Sequence, residues 1–119
     1  MPFNELLGIR LVRAHADGVT IDCKIRPELL NAAGVLHGGV TATVADAAVG
    51  IAITLQKGRG SATTVEMKLN YLRPVATGTV TARARLLRMG SRLCIGRVDI
   101  SDDRKQLISS ALVTYMLLK

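Results

Sequence analysis

The stretch that decides the fold is N-A-A-G-V-L-H-G-G-V-T-A-T-V-A-D-A-A-V-G, residues 31–50. From Gly39 to about Leu55 the apolar residues recur at helical spacing, which predicts one long helix. One face of this helix carries Val40, Val44, Ala47, Ala48, Ile51 and Leu55. The nearly opposite face is apolar apart from one charge, and it carries Ala42, Asp46, Val49 and Ile53. A helix that is apolar on all sides is buried on all sides. Because one small sheet covers only one side, we expect a second copy of the protein to cover the other.

Segments of alternating polar and apolar residues flank this helix and predict six strands. They are residues 9–16, 19–25, 63–72, 78–88, 92–101 and 106–118. Residues 27–30 read as a short helical turn, and Gly58 is expected to cap the long helix. The order β-β-α-β-β-β-β predicts an α+β fold, with a mostly antiparallel sheet wrapped on one helix. A length of 119 residues indicates a single domain, residues 1–119.

The composition narrows the classes of partner. Aromatic residues make up only 3% of the chain, so the core must be aliphatic, and the net charge of +7 favours an anionic partner. Nucleic acid and a nucleotide-based small molecule are both anionic. The basic residues are scattered and no aromatic residues interleave with them, which argues against binding to single-stranded nucleic acid. A basic surface that is simply solvated remains the alternative.

The sequence lacks the motifs of several other kinds of protein, including metal-binding, redox, serine-hydrolase, secreted and membrane proteins. Cys23 and Cys94 show no C-x-x-C spacing and lie in apolar strands, so we expect buried, reduced thiols. His15 and His37 have no metal-ligand spacing, no G-x-S-x-G motif is present, and a Cys94–His37 pair has no positive support. The N-terminus does not resemble a secretory signal, and no stretch reads as long enough to span a membrane. We therefore expect a cytoplasmic location.

The residues around the start of the helix suggest a chemistry. Asp46 has no Lys or Arg three or four residues away, and an unpaired buried carboxylate costs several kcal/mol. It is therefore either a functional carboxylate or one that is paired across a dimer interface. Gly38 and Gly39 open the helix, where free backbone N–H groups can stabilise a negative oxygen. Asn31 can donate a side-chain N–H to the same place. Together these groups predict attack of water on an activated acyl group.

The same residues form a recognisable pattern. Asn31 lies six residues before His37, and His37-Gly38-Gly39 is followed by Asp46 nine residues after the histidine. The segment T-T-V-E-M-K-L-N-Y-L-R-P, residues 63–74, comes next. This pattern resembles the hotdog-fold acyl-CoA thioesterases, and in particular the phenylacetic-acid-degradation branch. The resemblance implies a long helix wrapped by a curved antiparallel sheet, with two protomers forming two sites between them.

The resemblance also implies a role for each matching residue. Asp46 activates water or attacks the thioester directly, and the Gly38 N–H polarises the thioester carbonyl. Asn31 assists from the same protomer as Gly38, and His37 shapes the loop. Thr64 corresponds to a hydroxyl near the attacking water. Asp46 and Thr64 would come from the protomer opposite Asn31 and Gly38.

The implied reaction is hydrolysis of a small acyl- or aryl-acyl-CoA to the free acid and CoA. Coenzyme A is then part of the substrate, and no separate cofactor or metal is expected. Basic residues near the site are candidates to hold its phosphates: Lys57, Arg59, Arg73, Arg88 and Arg92. We expect a dimer or a dimer of dimers, with neither nucleic acid nor membrane as a partner. A hotdog-fold dehydratase or hydratase, a thioesterase acting on an acyl-carrier protein, and a non-catalytic acyl-CoA or acyl-carrier binding protein remain alternatives.

Overall fold

The computed structural model describes residues 1–118 and contains one six-stranded sheet and one long helix. The strands are β1 (Ile9–His15), β2 (Gly18–Lys24), β3 (Ala62–Tyr71), β4 (Thr79–Met89), β5 (Leu93–Ser101) and β6 (Leu107–Leu117). The helices are α1 (Pro2–Leu7) and α2 (Gly38–Lys57), with a short 3-10 turn at Pro27–Leu29. The predicted order β-β-α-β-β-β-β is confirmed, and α1 is added at its start.

The sheet has the spatial order β1-β2-β4-β5-β6-β3, and every neighbouring pair is antiparallel. Alternate residues of its strands point inward, where Ile21, Val80, Val98 and Val113 are fully buried against α2. The core is aliphatic, as the shortage of aromatic residues predicted. β3 forms one edge of the sheet and runs beside α2, so β3 and α2 together present the groups of the site described below.

The sheet buries residues from both of the apolar faces of α2. Val49 and Ile53 are 0% and 1% exposed, whereas Leu55 is 54% exposed. Val44 and Ala48 lie on the same predicted face as Leu55 and are 0% exposed, so periodicity alone did not separate a core face from an open one. The face that the sheet leaves open consists of small or polar residues spaced three or four apart: Gly39, Thr43, Asp46, Gly50 and Thr54. We refer to these five residues as the open strip of α2.

Both ends of α2 are fixed by local hydrogen bonds. At the start, the His37 ring Nδ1 accepts a hydrogen bond from the Gly39 N–H at 2.8 Å, which makes His37 the N-cap. At the end, Gly58 has a φ of 95° and its N–H donates to the Thr54 carbonyl at 2.8 Å. The prediction that Gly58 caps the helix is confirmed, because a positive φ favours glycine there.

The short helix α1 was not predicted from the sequence. Pro2 occupies its first turn, and Gly8 ends it in the left-handed conformation with a φ of 78°. Leu7 is its buried residue, whereas Phe3 and Leu6 are exposed. Six residues are too few to show helical periodicity, so only the proline and the glycine signalled this helix.

The expectation about the two cysteines and the expectation about membrane-spanning segments have different outcomes. Cys23 and Cys94 are buried free thiols, as expected, and burial raises the pKa of each. By length and composition, however, α2 could cross a membrane, since it has 20 residues and its most apolar 18-residue window has a mean hydropathy of 1.5. The expectation that no stretch reaches that length was wrong. In this fold α2 is the core helix, and half of its most apolar window is buried against the sheet.

Candidate active site

The first turn of α2 presents one free backbone donor. The Gly39 N–H is taken by His37 Nδ1, and the Val40 and Thr41 N–H groups donate to the His37 carbonyl at 2.9 and 3.3 Å. Within residues 1–118, the Gly38 N–H has no hydrogen-bond partner. It lies at the positive end of a 20-residue helix, so it is placed to stabilise a negative oxygen. His37 positions this turn, which agrees with the role that the resemblance implied for it.

Tyr71 holds Gly38 in place from β3. Its hydroxyl donates to the Gly38 carbonyl at 2.6 Å. The contact is close, because a Cβ built on Gly38 would lie 3.1 Å from the Tyr71 hydroxyl oxygen and 3.3 Å from Cζ. Sequence reasoning missed this residue, although it lies in the N-Y-L-R-P part of the motif. The contact joins residues 33 positions apart, and no local signal could have revealed it.

Asn31 organises the loop that leads into α2. Its Oδ1 accepts hydrogen bonds from the Ala33 and Val35 N–H groups at 2.9 and 3.2 Å. Because Oδ1 is used in this way, the Nδ2 group remains as the donor of the amide. Asn31 and Gly38 line the same cavity, of about 490 Å³, whose wall also includes Tyr71 and Arg73. The structure thus brings together the two predicted carbonyl-binding residues.

Asp46 lies on the open strip of α2 and is half-buried within one chain. Its carboxylate oxygen Oδ1 accepts a hydrogen bond from the Thr64 hydroxyl at 2.6 Å. Its main-chain carbonyl accepts one from the Tyr115 hydroxyl at 2.8 Å. Burial raises the pKa of Tyr115, which keeps that hydroxyl protonated as a donor. The sequence offered no nearby cation to pair with Asp46, and within one chain its carboxylate is instead hydrogen-bonded by the Thr64 hydroxyl from β3. The two predicted site residues Asp46 and Thr64 are therefore in contact.

Asp46 and Gly38 do not share a cavity within one chain. Eight residues of helix separate them, which is about 12 Å along the axis at about 1.5 Å per residue. Asp46 lines a different cavity, of about 210 Å³, together with Phe3, Asn4 and Ala47. No one of these cavities therefore presents both Asp46 and Gly38 of one chain to a thioester carbonyl.

The five basic candidates also divide into two groups. Arg73 lines the cavity that contains Gly38, at the end of the sheet where α2 begins. The other four are exposed at the end where α2 finishes: Lys57, Arg59, Arg88 and Arg92. The Arg92 carbonyl accepts from the Leu117 N–H, and Leu117 pairs with Ala62 just after the loop that contains Arg59. One chain does not bring all five cations together.

Comparisons with known proteins agree with this geometry. The family model of the thioesterase superfamily matches residues 33–109. The medium/long-chain acyl-CoA thioesterase YigI of Escherichia coli (strain K12) is 30% identical over 133 residues, covering 98% of this chain and 86% of that protein. Thioesterase HI1161 of Haemophilus influenzae superposes with a TM-score of 0.92 at 26% identity, covering 98% of this chain and 82% of that one. A mutant of phenylacetic acid degradation protein PaaI from Thermus thermophilus gives 0.89 at 27% identity, covering 99% and 100%.

A curved antiparallel sheet wrapped on one long helix, with a carboxylate on that helix and a free N–H at its start, defines a hotdog-fold thioester hydrolase. The chain belongs to the thioesterase superfamily. The resemblance inferred from residues 31–74 is confirmed, because the family model spans most of that motif and PaaI shares the fold over its whole length.

Proposed function

We propose that this protein hydrolyses an acyl-CoA thioester to a free acid and CoA. The observation that carries the proposal is that α2 presents both a carboxylate, Asp46, hydrogen-bonded by Thr64, and a free N–H, on Gly38. These are the two groups that thioester hydrolysis needs: one to activate the nucleophile and one to stabilise the oxyanion. The name of YigI, a medium/long-chain acyl-CoA thioesterase, supports the same class of substrate. Water is the only other reactant, so the reaction requires no cofactor.

In the proposed mechanism Asp46 accepts a proton from a water molecule, and the resulting hydroxide attacks the thioester carbon. The carbonyl oxygen becomes negative and is stabilised by the Gly38 N–H and by Asn31 Nδ2. The C–S bond then breaks, the acid is released, and the proton passes to the thiolate of CoA. Alternatively, the Asp46 carboxylate attacks the thioester carbon itself, and the C–S bond breaks to leave an anhydride on Asp46 and release the CoA thiolate. Water then hydrolyses the anhydride to the free acid and the Asp46 carboxylate, and the proton from the water passes to the thiolate. In both routes the Thr64 hydroxyl orients the carboxylate.

We infer that each site forms between two protomers. Asp46 and Gly38 lie about 12 Å apart along one helix and line different cavities, which favours a site completed by a second copy. Two features allow it: the open strip of α2 has small side chains that let another helix approach, and β3 is an edge strand with no partner on its outer side among the described residues. Pairing of the β3 edges of two copies would set the two α2 helices antiparallel, with Asp46 facing the partner's Gly38. Light scattering should therefore show a dimer or a dimer of dimers, and a fully active monomer of 12.7 kDa would contradict this inference.

The same arrangement offers a place for the phosphates of CoA. In an antiparallel pair, the end of one helix lies beside the beginning of the other. Lys57 and Arg59 of one protomer would then approach the partner's Arg73, with Arg88 and Arg92 farther along the same end of the sheet. We propose that these cations hold the pyrophosphate and the 3′-phosphate at the rim of the site.

Steady-state assays over a panel of acyl-CoA and aryl-acyl-CoA thioesters, with thiol release as the readout, test the proposed function. The wild-type protein should release CoA catalytically, and Asp46→Asn should not. A dehydratase or hydratase would instead change the absorbance of an enoyl-CoA without releasing thiol. A binding protein would retain acyl-CoA without turnover, and either result would contradict the proposal.

A further inference from the structure

The helix α1 closes one side of the cavity that contains Asp46. This cavity, of about 210 Å³, has Phe3 and Asn4 of α1 on one side and Thr43, Ala47 and Gly50 of α2 on the other. A second cavity, of about 320 Å³, adjoins it and shares Gly50 and Tyr115 as lining residues. Phe3 lines the first cavity only, so it borders the part of this space that is next to the carboxylate.

The lining of this space differs in charge from that of the cavity beside Gly38. In the described part of the chain, Asp46 is the one charged side chain that lines the 210 Å³ cavity, and no charged side chain lines the 320 Å³ cavity. Met1 lines both cavities, and its α-amino group lies 3.9 Å from the carboxylate of Glu5. The cavity beside Gly38 includes Arg73 in its wall. A thioester carbonyl bound between Asp46 and the partner's Gly38 has two substituents, an apolar acyl chain and a pantetheine arm that leads to phosphates. The space beyond Asp46, which has no further charged side chain in its wall, suits the acyl chain.

We propose that α1 forms the outer wall of the acyl pocket and that Phe3 sets the length of acyl chain that the enzyme accepts. This inference rests on the proposed function and adds to it a residue that determines specificity. Phe3 is the large apolar side chain of α1 that lines the cavity next to Asp46, and it is 58% exposed, so it borders the space rather than filling the core.

The side of the pocket formed by Gly50 and Tyr115, its floor, has no room for larger side chains, whereas Phe3 on α1 can be substituted. A Cβ added to Gly50 would lie 2.7 Å from the Tyr115 hydroxyl oxygen, and that hydroxyl is itself held by the Asp46 carbonyl at 2.8 Å. The floor therefore has no room for a larger side chain. By contrast α1 has six residues and is anchored through its buried Leu7. Changes at Phe3 should therefore alter the size of the pocket without disturbing Asp46.

The test is kcat/KM measured over straight-chain acyl-CoAs from acetyl to dodecanoyl. In the wild-type protein kcat/KM should rise about fourfold per methylene, the equivalent of about 0.8 kcal/mol per buried methylene, until the chain meets Phe3. Phe3→Ala should extend this rise by two or more methylenes, and Phe3→Trp should end it earlier. Leu6→Ala is the matched control, because it removes an exposed apolar side chain from the same helix that lines neither cavity, and it should leave the profile unchanged.

The outcomes separate this inference from the proposed function. If the wild-type protein releases no thiol from any acyl-CoA, the proposed function is wrong and this inference falls with it. If the wild-type protein is active, and Phe3→Ala either changes nothing or changes kcat/KM by one factor for every chain length, the inference is wrong and the proposed function stands. Dissociation of Phe3→Ala into inactive monomers would show that Phe3 is an interface residue, which would also overturn the inference.

Discussion

Replacing Gly38 with proline should abolish most activity without unfolding the protein. Gly38 is the first residue of α2, where proline is well tolerated because its missing N–H has no helical partner in any case. The preceding residue, His37, has φ −61° and ψ 133°, which is the conformation that a residue before proline prefers. The substitution therefore removes the free N–H proposed to stabilise the oxyanion while breaking no hydrogen bond of the folded chain.

The magnitude follows from the number of donors. Loss of one of two oxyanion donors typically lowers kcat by about 10²–10³, or about 2.7–4 kcal/mol, and Asn31 remains as the second donor. Gly38→Ala is the control, because its Cβ lies at the same 3.1 Å from the Tyr71 hydroxyl oxygen but it keeps the N–H. Both variants should be assayed by thiol release and by thermal melting. If Gly38→Pro is folded and retains the kcat of Gly38→Ala, the Gly38 N–H has no role in catalysis and the mechanism is wrong.

Three further predictions concern other parts of the molecule. Asp46→Asn keeps the shape of the side chain and removes its charge, so kcat should fall at least about a hundredfold while the Tm stays the same or rises. If the variant melts far below wild type yet keeps normal turnover, Asp46 has a structural role and not a catalytic one. Raising the salt concentration, or removing the 3′-phosphate from the substrate, should raise KM with little change in kcat. An unchanged KM under both treatments would show that the five basic candidates do not bind the phosphates of CoA. Gly96→Ala places a Cβ 2.7 Å from Val49 Cγ2 in the core, and the valine side chain cannot easily rotate away about χ1. The free energy of unfolding, measured with urea, should therefore fall by about 1–3 kcal/mol. An unchanged urea midpoint would show that the core can adjust to the added methyl group.

The sequence predicted the elements of the fold well, because α2 and the strands are long and strongly periodic. It left the orientation of α2 open. Where every side of a helix is apolar, periodicity cannot say which side meets the sheet. Leu55 and Val44 share one predicted face, yet Leu55 is exposed and Val44 is fully buried. The open side is instead lined by small residues such as Gly50, whose lack of a side chain contributes nothing to a hydrophobic pattern.

The candidate site was predicted in its residues but not in its contacts. Asn31, Gly38 and Asp46 were found because their types and spacing along one segment match a chemistry and a family. The Thr64–Asp46 hydrogen bond joins residues 18 positions apart, and the Tyr115–Asp46 bond joins residues 69 positions apart. Such contacts depend on which strands lie side by side, and the placement of β3 next to β6 is decided by the whole sheet and not by any local stretch.

The central claim is that each site takes Asp46 from one protomer and Gly38 from its partner, and mixing two inactive variants tests it most directly. Asp46→Asn and Gly38→Pro are each expected to be nearly inactive alone. When they are unfolded and refolded together in equal amounts, half of the dimers should contain one chain of each kind. Each such mixed dimer has one site with both residues intact and one with neither, so activity should recover to about a quarter of the wild-type value. If the refolded mixture is no more active than the two variants measured separately, the two residues act within one chain or not together, and the account of the site is wrong.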